Sequence, residues 1–321
     1  MDLTLHGAFT ALATPFRNGA VDLDAMAAFT EFQIAGGIAG VVPCGTTGES
    51  PTLSAEESKE IIATVVRVAN GRVPVIAGTG TNNTAETIAR TRAARFAGAD
   101  AAMVVMPYYN KPTQAGLIAH VRAIHDATEL PLVLYNVPTR GTADLGVEAM
   151  VEIARHCPRV IALKEATGNI VRAQSIIAAL GDRLTVLCGD DGLTLGMMAC
   201  GARGVISVAS NVVPAAVQGV VTAFLAGDLA EHPLEVLLRP LASRQDVDRV
   251  LERDRSDPRE AASHLHPQVR RLRRDLVDAR AGKIDRDGVH PLHRQRVQLV
   301  GAEVGAGAAG EQQRHGRDAD E

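Results

Sequence analysis

The chain has 321 residues, 46% of them apolar and 22% charged, which is enough apolar material to bury one large core or two small ones. That composition excludes fibrous and wholly disordered classes. With 33 Lys and Arg against 37 Asp and Glu, the formal charge of −4 offers no broad cationic field to a nucleic-acid backbone or an anionic membrane.

The opening MDLTLHGAFT lacks the basic and long apolar regions of a secretory signal, and Cys44, Cys157, Cys188 and Cys200 form no Cys-x-x-Cys pair. The expectation is reduced thiols in the cytoplasm. Strand-like runs begin at Gly7 (GAFTALATPF), Gly40 (GVVPCG), Val73 (VPVIAGTG), Ala101 (AAMVVMPYYN), Pro131 (PLVLYNVP), Val160 (VIALKEATG), Leu184 (LTVLCGDD) and Gly204 (GVISVASN). Segments of helical spacing separate them. In the one from Ser54, Ser54 and Glu57 have capping-box spacing and Gly71 marks a stop, and the segment from Thr84 is read the same way. Near-continuous apolar strands alternating with helices predict an α/β fold, a closed (β/α)8 TIM barrel, with an open doubly wound sheet as the alternative. Residues 204–226 are uncharged, but Ser207, Ser210, Asn211, Pro214, Gln218 and Thr222 interrupt them. They read as strand, turn and buried helix rather than as a membrane span.

The barrel is assigned to residues 1–231. Residues 232–321 carry 16 Arg but one Lys, six of the ten His, and no Phe, Tyr, Cys, Met or Asn. Beyond some apolar spacing at Leu234, Leu237, Leu238 and Leu241, this segment is expected to be disordered or poorly packed. A shifted reading frame in GC-rich coding DNA would produce such a composition.

In a βα barrel the reactive groups stand at the carboxyl ends of the strands. Lys164, one of four lysines, interrupts the apolar run VIAL. An amine desolvated there loses basicity and can attack a carbonyl carbon to form an imine, the alternative being a structural ion pair with Glu165 or Asp190. GTTGES, at 45–50, sets two glycines beside the hydroxyls of Thr46 and Thr47, a concavity suited to a carboxylate, or else an ordinary strand-to-helix turn. Tyr135 and Tyr109 are two of three tyrosines, all at strand ends, able to pass protons or simply to pack a rim. Arg140 could clamp a carboxylate or cap the next helix. The histidines show no metal-ligand spacing, so no metal is expected. GTTGES lacks the Gly-Lys-Ser/Thr ending of a nucleotide loop and GTGTNN, from Gly78, the third glycine of a dinucleotide fingerprint, and no cofactor is expected.

GTTGES, PYYN, YNVPTR, KEATGN and GDD occur in this order along the chain, and over residues 7 to about 231 the chain resembles the dihydrodipicolinate synthase family. The wider group, similar to N-acetylneuraminate lyase, consists of (β/α)8 lyases in which a strand-six lysine forms an imine with pyruvate. The resemblance implies that Lys164 takes that role, that Thr46, Tyr135 and Tyr109 relay protons, and that Tyr109 does so in a neighbouring subunit. It implies further that Thr46 and Thr47 hold the pyruvate carboxylate, that Arg140 binds the carboxylate of L-aspartate 4-semialdehyde, and that Gly189 and Ile206 supply backbone contacts. It also implies a homo-oligomer, with a dimer as the smallest active unit and a tetramer as the usual assembly. The product leads toward diaminopimelate and lysine. The lyase branch carries Ser-Thr where this chain has Thr46-Thr47 and lacks the equivalent of Arg140, which favours the synthase. Another pyruvate-dependent aldolase, or a barrel impaired by its altered C-terminus, are the alternatives, because the family's C-terminal helices and Asn-Pro-x-Pro-x-Lys segment are not found here.

Members subject to feedback by lysine match this chain at Ser50, Asn82, Glu86 and Tyr108, but carry histidines where Ala55 and Ser58 stand. Millimolar lysine is therefore expected to inhibit weakly or not at all in a steady-state assay.

Overall fold

A computed structural model describes residues 3–228 of the chain; the segment 232–321, with the disorder and frameshift expected of it, lies outside them. Eight parallel strands form the sheet: β1 (Gly7–Ala11), β2 (Gly40–Val42), β3 (Ile76–Gly78), β4 (Ala101–Val105), β5 (Leu132–Asn136), β6 (Val160–Glu165), β7 (Thr185–Cys188) and β8 (Gly204–Ser207). Their spatial order is β2-β1-β8-β7-β6-β5-β4-β3. The remaining gap is bridged where Val41 pairs with Val75, Val41 N–H donates to Pro74 O at 3.0 Å and Gly78 N–H donates to Pro43 O at 2.9 Å. The strands thus close into the (β/α)8 barrel, and the open sheet is excluded.

Because successive side chains of a strand face opposite sides, two apolar layers arise from one set of runs. Phe9, Val42, Ile76, Met103, Val133, Ala162, Leu187 and Ile206, one from each strand, fill the interior. Their neighbours Ala8, Val41, Ala77, Val104, Leu134, Leu163, Val186 and Val205 pack outward against helices.

Those helices are α1 (Leu23–Ala35), α2 (Ala55–Ala69), α3 (Thr84–Phe96), α4 (Gln114–Ala127), α5 (Val147–His156), α6 (Ile170–Leu180), α7 (Thr194–Ala199) and α8 (Pro214–Ala226). Each of five starts has a side-chain oxygen accepting from a first-turn N–H: Asp22, Ser54, Asn83, Thr113 and Asn169. The Ser54–Glu57 capping box forms as expected, with Asn70 in the left-handed conformation just before Gly71. For α3 the cap is Asn83 rather than Thr84, because the Asn83 amide oxygen reaches Glu86 N–H at 3.1 Å. A small hairpin, Phe16–Arg17 with Ala20–Val21, escaped the sequence reading. Its signal was Asn18-Gly19, both at positive φ, the pair a tight hairpin turn favours.

Residues 204–226 are strand, a short 3-10 turn at Ala209–Asn211 and helix α8, as the interruptions required. Among the described residues no helix is long and apolar enough to cross a membrane. Beside α8, Ile177, Leu184, Met198, Phe224 and Leu225 line an open apolar groove.

His120 of α4 is buried, its Nδ1 2.8 Å from Thr84 Oγ1, and desolvation pushes its pKa down to about 4. It is neutral in the fold and readily charged once unfolded. Its contribution is therefore present above the usual imidazole value and lost as the pH falls from about 6.5 toward 4, a loss on the order of 2–3 kcal/mol. In urea titrations at pH 7.5 and 4.5, His120→Gln should show a smaller acid destabilisation than the parent protein.

Candidate active site at the carboxyl ends of the strands

Lys164 lies one residue before the end of β6 and shares the inward face with Ala162. Only 5% of it is exposed. Its register partner across the β5–β6 ladder is Tyr135, whose ring centroid lies 4.2 Å from Lys164 Nζ. Burial lowers the lysine pKa to about 8, with the Asp191 carboxylate and the Cys188 thiol acting against the shift and the Arg140 charge adding to it. A usable fraction of neutral amine therefore exists near neutrality.

The ion-pair alternative named Glu165 or Asp190, and neither takes that part. Glu165 faces outward and binds Arg172, Nε to Oε2 at 3.0 Å. Asp190 accepts from Gly192 N–H at 2.9 Å as a turn cap. Asp191, which sequence reasoning passed over, supplies the carboxylate charge that reaches Lys164, and it is itself anchored by the Val208 and Ala209 N–H groups at 3.1 and 2.9 Å. Strand alternation had stopped at Cys188, so no periodicity distinguished one aspartate from the other.

Tyr135 is also buried, and its phenol pKa is raised by desolvation, opposed by the Arg140 charge and by a hydrogen bond with Thr46. Arg140 sits on the exposed side of a single helical turn, Pro138–Gly141, directly after β5. Four of the expected groups are thus linked through Tyr135: it stands against Lys164, shares a hydrogen bond with Thr46, and feels the Arg140 charge that also reaches Lys164.

The GTTGES loop departs in detail from its expected form. Neither Gly45 nor Gly48 has positive φ; Cys44 and Glu49 do. Gly48 is required for a different reason, since a Cβ there would stand 2.9 Å from Leu12 O. The N–H groups of Gly48, Glu49 and Ser50 are taken by the carbonyls of Gly45, Thr46 and Gly45. The N–H groups of Thr46 and Thr47 donate to no backbone carbonyl among the described residues.

Gly189 donates its N–H to Glu165 O at 2.8 Å, and a Cβ on it would come within 2.6 Å of Ala166 Cβ, so its backbone lies hard against the end of β6. Ile206 is fully buried in the interior cluster that contains Tyr135. Tyr109 is not gathered in: it is 88% exposed, at φ +73°, on the rim after β4. Among the described residues no group of three His, Cys, Asp or Glu could hold a metal ion.

Below pH 8 the fold holds a buried ammonium, and its cost relative to the unfolded chain vanishes as pH rises through about 8 to above 10.5. Lys164→Met should therefore abolish lysine chemistry yet unfold at an equal or higher denaturant midpoint at pH 7, by up to about 3 kcal/mol. Equilibrium denaturation at pH 7 and pH 10.5 tests this, the advantage shrinking at the higher value.

A profile of the dihydrodipicolinate synthetase family matches residues 4–241. A 4-hydroxy-tetrahydrodipicolinate synthase of Sorangium cellulosum is 56% identical over 230 residues, 71% of this chain and 76% of that protein. A chloride-inhibited dihydrodipicolinate synthase from Acinetobacter baumannii, solved with pyruvate, is 38% identical with TM-score 0.71, covering 87% of this chain and 99% of that one. A monomeric dihydrodipicolinate synthase variant is 32% identical with TM-score 0.71, covering 86% and 97%. The chain, a (β/α)8 barrel with a buried strand-six lysine, belongs to the dihydrodipicolinate synthetase family of enzymes.

Proposed function

We propose that this protein is a 4-hydroxy-tetrahydrodipicolinate synthase, condensing pyruvate with L-aspartate 4-semialdehyde through an imine on Lys164. The observation that carries the reading is the buried Lys164 amine, with its pKa near 8, against the phenol of Tyr135 at the open end of the barrel. The pyruvate complex of the Acinetobacter relative supports the first substrate.

The neutral amine of Lys164 attacks the keto carbon of pyruvate, and the carbinolamine loses water to give the imine. Protonated on nitrogen, the imine draws electrons from the adjacent methyl carbon, which gives up a proton to leave the neutral enamine. The enamine carbon adds to the aldehyde of the semialdehyde, whose oxygen takes up a proton. The amino group of the bound product then attacks the imine carbon, closes the ring and releases Lys164. Tyr135, hydrogen-bonded with Thr46 and with its ring 4.2 Å from Lys164 Nζ, gives and takes these protons, and its raised pKa keeps it protonated at rest. Thr46 and Thr47, through the N–H groups their loop leaves over, receive the pyruvate carboxylate. Arg140 receives the carboxylate of the second substrate, and Gly189 and Ile206 line the floor.

Tyr109, exposed on the rim, completes the proton relay in a second copy, which makes a homodimer the minimum active unit and a tetramer the full assembly. The presence of a monomeric variant among the relatives makes this a point for measurement. Residues 1–231 carry the activity, residues 232–321 stand outside it, no cofactor or metal takes part, and the free thiols suit the cytoplasm.

Borohydride reduction with pyruvate, followed by intact-mass analysis and peptide mapping, should place one adduct on Lys164. Turnover should require aspartate semialdehyde rather than N-acetylneuraminate, and fall about 10⁴-fold or more in Lys164→Met. No adduct on folded protein would overturn the assignment.

A further inference from the structure

The back of the barrel wall behind Lys164 and Tyr135 carries its own buried polar chain. Asn136 and Glu165 occupy the register position next to the Tyr135–Lys164 pair, on the opposite face of the same two strands. Both are fully buried. Asn136 Oδ1 accepts from Leu145 N–H at 3.0 Å, and its Nδ2 donates to Asp144 Oδ1 at 2.8 Å. Arg172 Nη2 donates to the carbonyl of the same Leu145. Its Nε donates to Glu165 Oε2 at 3.0 Å, while Glu165 Oε1 accepts from Thr167 N–H at 2.9 Å. One residue, Leu145, is thereby tied through its N–H to the residue after Tyr135 and, through its carbonyl and Arg172, to the residue after Lys164.

Of the ion pairs among the described residues, Glu165–Arg172 is the one in which both side chains are shielded, at 0% and 10% exposure. A carboxylate so buried would be costly without its guanidinium partner. The planar fork of arginine presents donors to Glu165 and Leu145 together in a fixed geometry that a lysine ammonium does not reproduce. Residues 137–145, the segment whose far end this chain pins, also carry Arg140.

We propose that Asn136, Arg172 and Glu165 are positioning residues, a buried strut that fixes the Lys164 amine against Tyr135 and holds the Arg140 segment over them. This rests on the reading of Lys164 as the imine-forming residue. Without the strut, the ends of β5 and β6 remain paired through their backbones, but the side chains projecting from them lose a common reference. A displacement of about 1 Å at a reacting group costs up to about a hundredfold in rate. The charged and titratable groups facing Lys164 from the neighbouring elements are Asp191, Cys188, Arg140 and Tyr135, and none of them belongs to the strut.

The test uses the full chain with Glu165→Gln, Arg172→Met and Arg172→Lys, the last keeping a cation beside Glu165 should the others fail to fold. Per folded molecule, borohydride trapping at saturating pyruvate should slow by about tenfold or more, with half-saturation by pyruvate changed by less than about threefold. Independently, trace acetylation followed across pH should show the Lys164 amine titrating about one unit or more higher, as the side chain gains water. If the parent itself forms no pyruvate adduct, the imine reading falls while the acetylation profiles still decide the strut. Trapping rates per folded molecule and acetylation midpoints equal to those of the parent in Glu165→Gln and Arg172→Lys would overturn the proposal.

Discussion

Everything distinctive about this site depends on one amine held inside an apolar tube. Closing eight parallel strands leaves an interior too narrow for bulk water, filled by one side chain from each strand, and Lys164 projects into that space a single step above Ala162. Desolvation there makes the neutral amine accessible. Lys59, by contrast, stands exposed on α2.

The other site groups are placed by the loops and turns that leave the strands rather than by the strands themselves. Thr46 and Thr47 come soon after a residue with positive φ, Cys44, and the loop folds back so that its later N–H groups satisfy its own carbonyls. Arg140 rides on one helical turn begun by Pro138, a residue whose fixed φ and missing N–H suit that position. Asp191 is held by two backbone N–H groups beyond β8, and its charge reaches the lysine from there. That charge works against the burial that lowers the lysine pKa, while Glu165 on the other face of β6 is committed to Arg172.

The fold was legible because its determinants are local and repetitive. Eight apolar runs, polar caps such as Ser54, and the spacing between them specify a βα alternation, and near-continuous apolarity specifies strands covered on both faces. Closure was less certain from the same signals, since it rests on the pairing of Val41 with Val75 across the last gap, a contact between short strands that have no pattern of their own. The Asn18-Gly19 hairpin was missed although its signal was present.

By itself the sequence determined which residues could do chemistry: a lysine out of place in an apolar run, two adjacent threonines in a Gly-rich turn, a tyrosine ending a strand. Only the tertiary structure decided which face each would occupy and which charges would reach it. Glu165 and Asp190 were equally good partners for Lys164 on paper. Alternation across β6 turns Glu165 outward to Arg172, and the turn after β7 gives Asp190 to a backbone N–H. The physical reason is that electrostatic interactions act through distance and local dielectric, which are set by folding, whereas sequence fixes only the identity of the groups.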